Sequence, residues 1–383
     1  MKYIVWIFVI CLCLQNPGKA QIGTPAQVKI SLLTCSPGQE LYSSFGHTAI
    51  RIQDSALHTD FVFNYGTFNF DQPNFYLKFI RGKLEFMLSI QPFDEFMYEY
   101  QVTERSVTEQ VLALSGADKA SIIAFLTKNY LPANRYYKYD FLYDNCATRI
   151  RTILFQHVHG VKLVKDIVPQ GTSFRDLIYQ YLDKGGQPWS KLGIDILLGS
   201  RIDQDAGSDG AMFLPDFLAM GLSNARINGN AYVTGTHKII DVPSPVQPAG
   251  KYLPLILISL FSGIMLLIYY LGRHKKTLPL ILDSLLLYIT GLLGLLLLFM
   301  WFATDHQACA YNYNLLWAMP LNIIAGFFIW KSKRWLRQYF LFMTVLTAAL
   351  LAFWLGLPQH FNIGLLPFCV LMLIRYGQLA KKK

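Results

Sequence analysis

From about residue 251 the chain is a series of five apolar segments, roughly 252–272, 278–303, 315–330, 338–357 and 363–376. Several of them reach the roughly 20 residues that cross a bilayer. No water-soluble core absorbs runs of that length one after another. The connections alternate in charge: 273–276, 331–337 and 375–383 hold eleven Lys and Arg, whereas 304–314 and 358–362 hold none. Positive loops stay on the cytoplasmic side. Five spans with this alternation therefore predict an exported N-terminal part and a cytoplasmic C-terminus.

The net charge of +10 has the same origin, because residues 1–250 carry 22 basic and 22 acidic side chains while residues 251–383 carry 12 basic ones against Asp283 and Asp305. The excess is spread over membrane loops. A nucleic-acid footprint needs basic residues gathered on one face, so nucleic acid is excluded as a partner. At the other end, Lys2, the apolar run Tyr3 to Leu14 and the stretch Asn16-Pro17-Gly18-Lys19-Ala20 have the three parts of a secretory signal peptide cut after Ala20. The expected organisation is a signal peptide over 1–20, a periplasmic catalytic domain over 21–241, a Pro-rich linker over 242–250 and a membrane domain over 251–383.

The exported part reads as α+β. Period-two patterns at Val28–Leu33, His47–Gln53, Phe61–Tyr65, Lys83–Gln91 and Arg105–Leu114 predict strands, with a short amphipathic piece at Asn74–Arg81. A helix is expected over Asp118–Asn129 and a last strand at Tyr136–Phe141; Ser173–Leu182, Trp189–Leu198 and Met212–Leu222 read as further helices. Ala225–Ile240, centred on Asn228-Gly229-Asn230, reads as a hairpin.

The chemistry centres on Asp144-Asn145-Cys146-Ala147-Thr148-Arg149, where a cysteine follows a polar pair and opens a run with Ile150, Ile153 and Leu154 at helical spacing. A thiol at a helix N-terminus meets unpaired N–H groups and the positive end of the helix dipole, which favour the thiolate. The base expected for it is His47, which opens a strand behind a small-residue turn. A thiolate on a helix facing an imidazole on a sheet is a papain-like arrangement, here in permuted chain order. The bland alternative is a structural Cys and a core or capping His. Asn64, in Phe63-Asn64-Tyr65-Gly66 on the following strand, is the preferred third group to orient the imidazole, with Asp60 and His58 as rivals.

Asp144 and Asn145 are expected to cap the helix or to contact an oxyanion, and Arg149 to pair with a phosphate or remain solvated. Cys35 either forms a disulfide with Cys146 or is a buried small hydrophobe. The loop from Thr304 to Pro320 is unusually polar, and His306, Asn312 and Asn314 are candidate ligands for a lipid headgroup beside the thiol. HExxH, CxxC, Walker, GxGxxG and GxSxG patterns are absent and His157 and His159 fall on different helix faces, so neither a metal nor a cofactor is implied.

The Gly46-His47 strand, Asn64-Tyr65-Gly66, Asp144-Asn145-Cys146-Ala147-Thr148-Arg149, Asp305-His306 and Asn312-Tyr313-Asn314-Leu315-Leu316-Trp317 with a five-span tail together resemble the Lnb family of Bacteroidota lipoprotein N-acyltransferases. The likeness covers nearly the whole mature chain. It implies a catalytic pair of Cys146 and His47. The Asn145-Cys146 motif after a His-bearing strand is more distantly similar to the permuted NlpC/P60-like fold of lecithin:retinol acyltransferases, which pass an acyl group through a cysteine thioester. The function expected is a cysteine-dependent acyltransferase of the inner membrane, with a phospholipid donor and a diacylglyceryl lipoprotein acceptor. The alternative is an NlpC/P60-like hydrolase acting on peptidoglycan peptides or phospholipid, although a soluble peptidase has no need of membrane spans.

Overall fold

The computed structural model describes residues 27–40, 43–243, 250–275, 277–331 and 333–381. The expected signal peptide over 1–20 and the centre of the expected linker, 244–249, lie outside the described residues.

Strand β1 (Val28–Cys35) pairs with β2 (His47–Asp54), which turns back into β3 (Thr59–Thr67). Helix α1 (Phe75–Ile80) leads to β4 (Glu85–Pro92) beside β3, and α2 (Phe93–Val102) leads to β5 (Val107–Leu112) on the other side of β1. After α3 (Gly116–Tyr130), the short β6 (Tyr136–Lys138) pairs with β4. There follow α4 (Cys146–Gln156), β7 (Val161–Leu163), α5 (Phe174–Lys184), α6 (Pro188–Leu197), α7 (Gly207–Ala211) and α8 (Pro215–Asn224). Strands β8 (Ala225–Ile227), β9 (Asn230–Ala231) and β10 (Val233–Ile240) end the domain. The main sheet is antiparallel and seven-stranded, in the order β10-β5-β1-β2-β3-β4-β6; β7, β8 and β9 form a small second sheet.

Both faces of the main sheet are covered. One face sends Ile30, Leu32 and Ile50 into a core with Ile150, Ile153 and Leu154 of α4, Ile122 and Leu126 of α3, and Leu218 of α8. On the other, Leu33, Cys35, Ala49 and Val62 meet Phe96, Met97 and Tyr100 of α2. Each large apolar side chain buried this way contributes about 1.5–3 kcal/mol. Helix α2 is absent from the sequence reading although Pro92 at the boundary and Asp94 and Glu95 in the first turn mark its start. The expected hairpin over 225–240 is split: Asn228 and Gly229, both at positive φ, turn β8 into β9, and β10 then leaves to pair with β5.

The remaining chain forms helices α9 (Leu253–Leu271), α10 (Thr277–Phe302), α11 (Asn322–Phe328), α12 (Arg334–Ala352) and α13 (Leu366–Lys381). Among the described residues four helices are long and apolar enough to span a membrane, the fourth counted from Ile363. The third expected span, over 315–330, is not one continuous helix: this stretch is a 3-10 turn at Tyr313–Leu316 followed by the seven-residue α11. Pro320 interrupts it, since proline lacks the N–H that a continuous helix needs. The broken stretch nevertheless runs antiparallel along α10. A Cβ on Gly294 would collide with the Ala318 carbonyl oxygen, one on Gly291 would lie 2.6 Å from Ile323 N, and Gly326 sits against Ser284.

The last span is longer than its apolar core. Arg375, read in the sequence as a loop cation, lies inside α13 and is bidentate to Asp283 of α10 at 2.8 and 2.7 Å, with its guanidinium 3.5 Å from the Tyr269 ring centre. Neutralisation by an adjacent carboxylate makes such a charge tolerable at membrane depth. At the start of α11, the buried Asn322 donates to Thr290 and accepts from Tyr339 and Tyr376.

Two glycines give a test of this packing. Helix propensity alone favours alanine over glycine by about 1 kcal/mol, and Gly263 on α9 has nothing within 4 Å of an added Cβ. Gly263→Ala should therefore hold or raise the thermal midpoint in detergent. Gly294→Ala should lower it, because overpacking costs roughly 1–3 kcal/mol and outweighs propensity.

Candidate active site

Cys146 is the first residue of α4, and the helix starts there for a local reason. Asn145 caps it: the Asn145 side chain accepts from Thr148 N at 2.9 Å, and Thr148 Oγ1 accepts from Asn145 N at 2.8 Å. A reciprocal cap of this kind fixes the first turn and with it the position of the thiol. The buried stripe of Ile150, Ile153 and Leu154 then presses α4 onto the sheet beside β2.

His47 is the first residue of β2. The turn before it contains Gly46 at φ +77°, where a Cβ would lie 2.7 Å from the Cys35 carbonyl oxygen, so a larger residue would push the strand start away. Asn64 of β3, itself buried, lies 2.6 Å from His47, its Oδ1 accepting from Nε2. That bond places the proton of the neutral ring on Nε2. Nδ1 is left to accept a proton from the Cys146 thiol, with which the imidazole is hydrogen-bonded.

The other two candidates for the third position are elsewhere. Asp60 pairs across the strands with Gln53, six residues along β2 from His47, which at about 3.3 Å per residue is some 20 Å away. It is engaged by Arg51 at 2.8 and 2.6 Å. His58 is exposed in the tight turn beyond it, at φ 51°.

Burial opposes charge on both partners of the pair. For Cys146 it is outweighed by the His47 charge, the His47 hydrogen bond and backbone N–H groups of Thr48 and Ala147, so the thiol is held below its usual value. For His47 the same burial is outweighed by the Cys146 charge and by hydrogen bonds to Cys146 and Asn64, so the imidazole is held above its own. The direction in both cases is toward a thiolate–imidazolium pair. Cys35 is opposite in character: free and fully buried, its thiol is pushed up to about 12 by desolvation. Cys146 is free as well, so the two are not joined.

Three contributors escaped the sequence reading. Gly66, at φ +95°, bulges β3 over the pair, where an added Cβ would lie 3.8 Å from Cys146 Cβ and 3.9 Å from His47 Cε1. Thr48 supplies a backbone N–H to the sulfur. Tyr137 is buried with no hydrogen-bond partner for its hydroxyl and lies within the field of Cys146. Of these only Gly66 left a trace in the sequence, as a glycine inside a strand pattern.

The residues expected to hold substrate are occupied otherwise. Asn145 Nδ2 donates to the Phe141 and Phe213 carbonyls, completing its use as a cap. Arg149 is bidentate to Asp144 at 2.6 and 2.8 Å and stacks 3.5 Å over the Tyr137 ring, beside a cavity of about 210 Å³ on the outer side of α4. Asn312 donates to the carbonyls of Ile196 and Leu197, and Asn314 to those of Asp195 and Ile196, so both cap the C-terminal end of α6. His306 Nε2 donates to the carbonyls of Phe79 and Ile80. Asn145, His306, Asn312 and Asn314 thus make contacts within the protein. Among the described residues no three His, Cys, Asp or Glu side chains converge as a metal site would need.

The charge state has a direct readout in alkylation. Iodoacetamide should label Cys146 well before Cys35, with a pH midpoint below the ordinary thiol value, and labelling should fade as pH falls through that midpoint. His47→Ala removes the stabilising charge while burial remains, so the midpoint should move up.

No curated protein and no solved structure matches this chain. Residues 20–181 match the Lnb N-terminal periplasmic domain, and residues 247–383 match the Lnb transmembrane domain. The chain belongs to the Lnb family and is an integral inner-membrane protein whose N-terminal domain is periplasmic.

Proposed function

We propose that the protein is a lipoprotein N-acyltransferase in which Cys146 carries the acyl group, His47 moves the protons and Asn64 orients the imidazole. The observation that carries this reading is the pairing of a depressed thiol with an Asn-anchored imidazole on a domain docked to the membrane part. A nucleophile–base–orienter series is the general requirement for covalent acyl transfer.

In the first half-reaction His47 takes the Cys146 proton and the thiolate attacks an ester carbonyl of a phospholipid. Backbone N–H groups at the α4 N-terminus stabilise the tetrahedral oxyanion. The ester C–O bond breaks, the departing alkoxide takes the proton from His47, and a lysophospholipid leaves a thioester on Cys146. In the second, the α-amine of a diacylglyceryl lipoprotein attacks the thioester and gives a proton to His47. The C–S bond breaks and the thiolate is restored. Water is the competing acceptor, and positioning of the amine can supply an effective molarity of about 10⁵ M or more.

The topology belongs to the same proposal. The broken stretch from Tyr313 to Trp330 is read as a crossing, since it follows α10 from the level of Gly294 to that of Ser284. Five crossings then place the C-terminus in the cytoplasm, beside the positive loops. A discontinuous crossing is tolerated where protein groups satisfy its backbone, as Gln359 does here by accepting from Tyr313 N at 2.7 Å and Ser284 of α10 by donating to the Gly326 carbonyl at 2.9 Å.

Purified protein given labelled phospholipid should accumulate a hydroxylamine-sensitive adduct on Cys146 and pass it to a lipopeptide with a free N-terminus but not to an N-acetylated one. Cys146→Ala should abolish both steps, and His47→Ala should slow them by about 10²–10⁴. Free fatty acid alone, with the lipopeptide unchanged, would make water the acceptor and the protein a phospholipase. A reporter fused after Lys383 should be cytoplasmic; an exported one would remove the fifth crossing.

A further inference from the structure

Helix α1 has no buried residue, which is anomalous for an apolar helix on a folded domain. Tyr76 is 79% exposed, Leu77 55%, Phe79 56% and Ile80 48%, and Phe70 just before the helix is 70% exposed. An apolar patch of this density on a protein surface marks an interaction site.

What covers it follows from where it is fastened. The outer end of α10 stops at Phe302, and the next residues dock onto the turn after α1: Asp305 N donates to the Arg81 carbonyl at 2.9 Å, and His306 donates to the Phe79 and Ile80 carbonyls at 3.2 and 3.1 Å. Gly82 makes the fit close, since a Cβ there would lie 3.2 Å from Asp305 C and His306 N. Asp305 is also paired with Lys138 at 3.0 Å. The patch is thus tied to the periplasmic end of a membrane span. Lys78, Arg81 and Lys83 edge it with positive charge, which suits phosphate headgroups.

An aromatic track connects this patch to the thiol. Phe79 stacks on Phe75, which meets Phe70; Phe70 meets Phe68, and Phe68 meets Phe86, at centroid distances between 4.9 and 6.4 Å. Phe86 stacks on Tyr139 at 4.5 Å, and both pack against the core that also holds Cys146. One residue, Thr67, separates Phe68 from Gly66, which lies over the catalytic pair.

The geometry points to α1 as a membrane-seated lip: its exposed face sits in the periplasmic leaflet of the bilayer, and its aromatic track conducts a phospholipid acyl chain from that leaflet to Cys146. An amphipathic segment with aromatic residues and flanking cations is suited to the interface plane. The conducting role rests on the acyl-transfer reading above; the seat in the leaflet does not.

Both parts are tested with full-length protein in phospholipid vesicles, with Cys11, Cys13 and Cys146 changed to Ser so that no turnover occurs; the other thiols are buried. A spin label at Tyr76→Cys should collide more with oxygen than with a water-soluble nickel chelate, and a label at Tyr98→Cys, 67% exposed on α2, should show the reverse. Equal water access at the two positions would overturn the seat. Phosphatidylethanolamine with a diazirine midway along one acyl chain should leave adducts on residues 68–86 on illumination. Adducts confined to the spanning helices would overturn the conducting role. Neither readout needs chemistry at the thiol, so a failed acyl-transfer assay leaves both interpretable.

Discussion

The arrangement depends on how a guanidinium is buried at the junction of the two domains. Arg175 of α5 is 1% exposed and held by Asp195 of α6 and by Asp203, the latter at 2.7 and 3.0 Å. Neither carboxylate is satisfied by the arginine alone. Asp195 also accepts from Tyr179 at 2.6 Å and from Asn362, in the loop before α13, at 2.8 Å; His360 of the same loop bonds Asp203 at 2.9 Å. Removing one member of such a group leaves uncompensated buried charge and costs about 3–5 kcal/mol. The network therefore resists partial opening, and it spans both domains.

Its effect on function is orientation. The end of α6 that receives Asn312 and Asn314 belongs to the same cluster, and Gly199 packs so closely on Ala310 that a side chain there would strike its carbonyl. With the second attachment of Asp305 and His306 to the α1 turn, the periplasmic domain is fixed at two separated points of the membrane part. The proposed thioester transfer between two lipid-anchored substrates would need this, because a displacement of about 1 Å at the reacting atoms can cost two orders of magnitude in rate.

Local signals were legible in the sequence and long-range ones were not. The helix start at Cys146, the strand start at His47 and the proximity of β3 follow from caps, turns and alternation within a few residues. The roles of Asn312 and Asn314 depend on carbonyls more than a hundred residues earlier, and nothing nearby distinguishes a polar side chain that closes a helix from one that binds a headgroup. Arg375 read as a loop charge for the same reason, its partner Asp283 being 92 residues away. The third apolar segment has the composition of a span, and Pro320 was the one local hint that it would break. Helix α2 is the exception, a local signal left unread: Pro92 precedes it and Asp94 and Glu95 fill its first turn.

The central claim is that the paired thiol moves an acyl chain from phospholipid to a lipoprotein amine. Mass spectrometry of lipoprotein N-termini addresses it in the cell, comparing a strain lacking this protein with strains restored by the wild type or by Cys146→Ala. The account predicts N-acylated lipoproteins only with the wild type, and free α-amines in the other two. N-acylation at wild-type levels with Cys146→Ala, or without the protein, would contradict it.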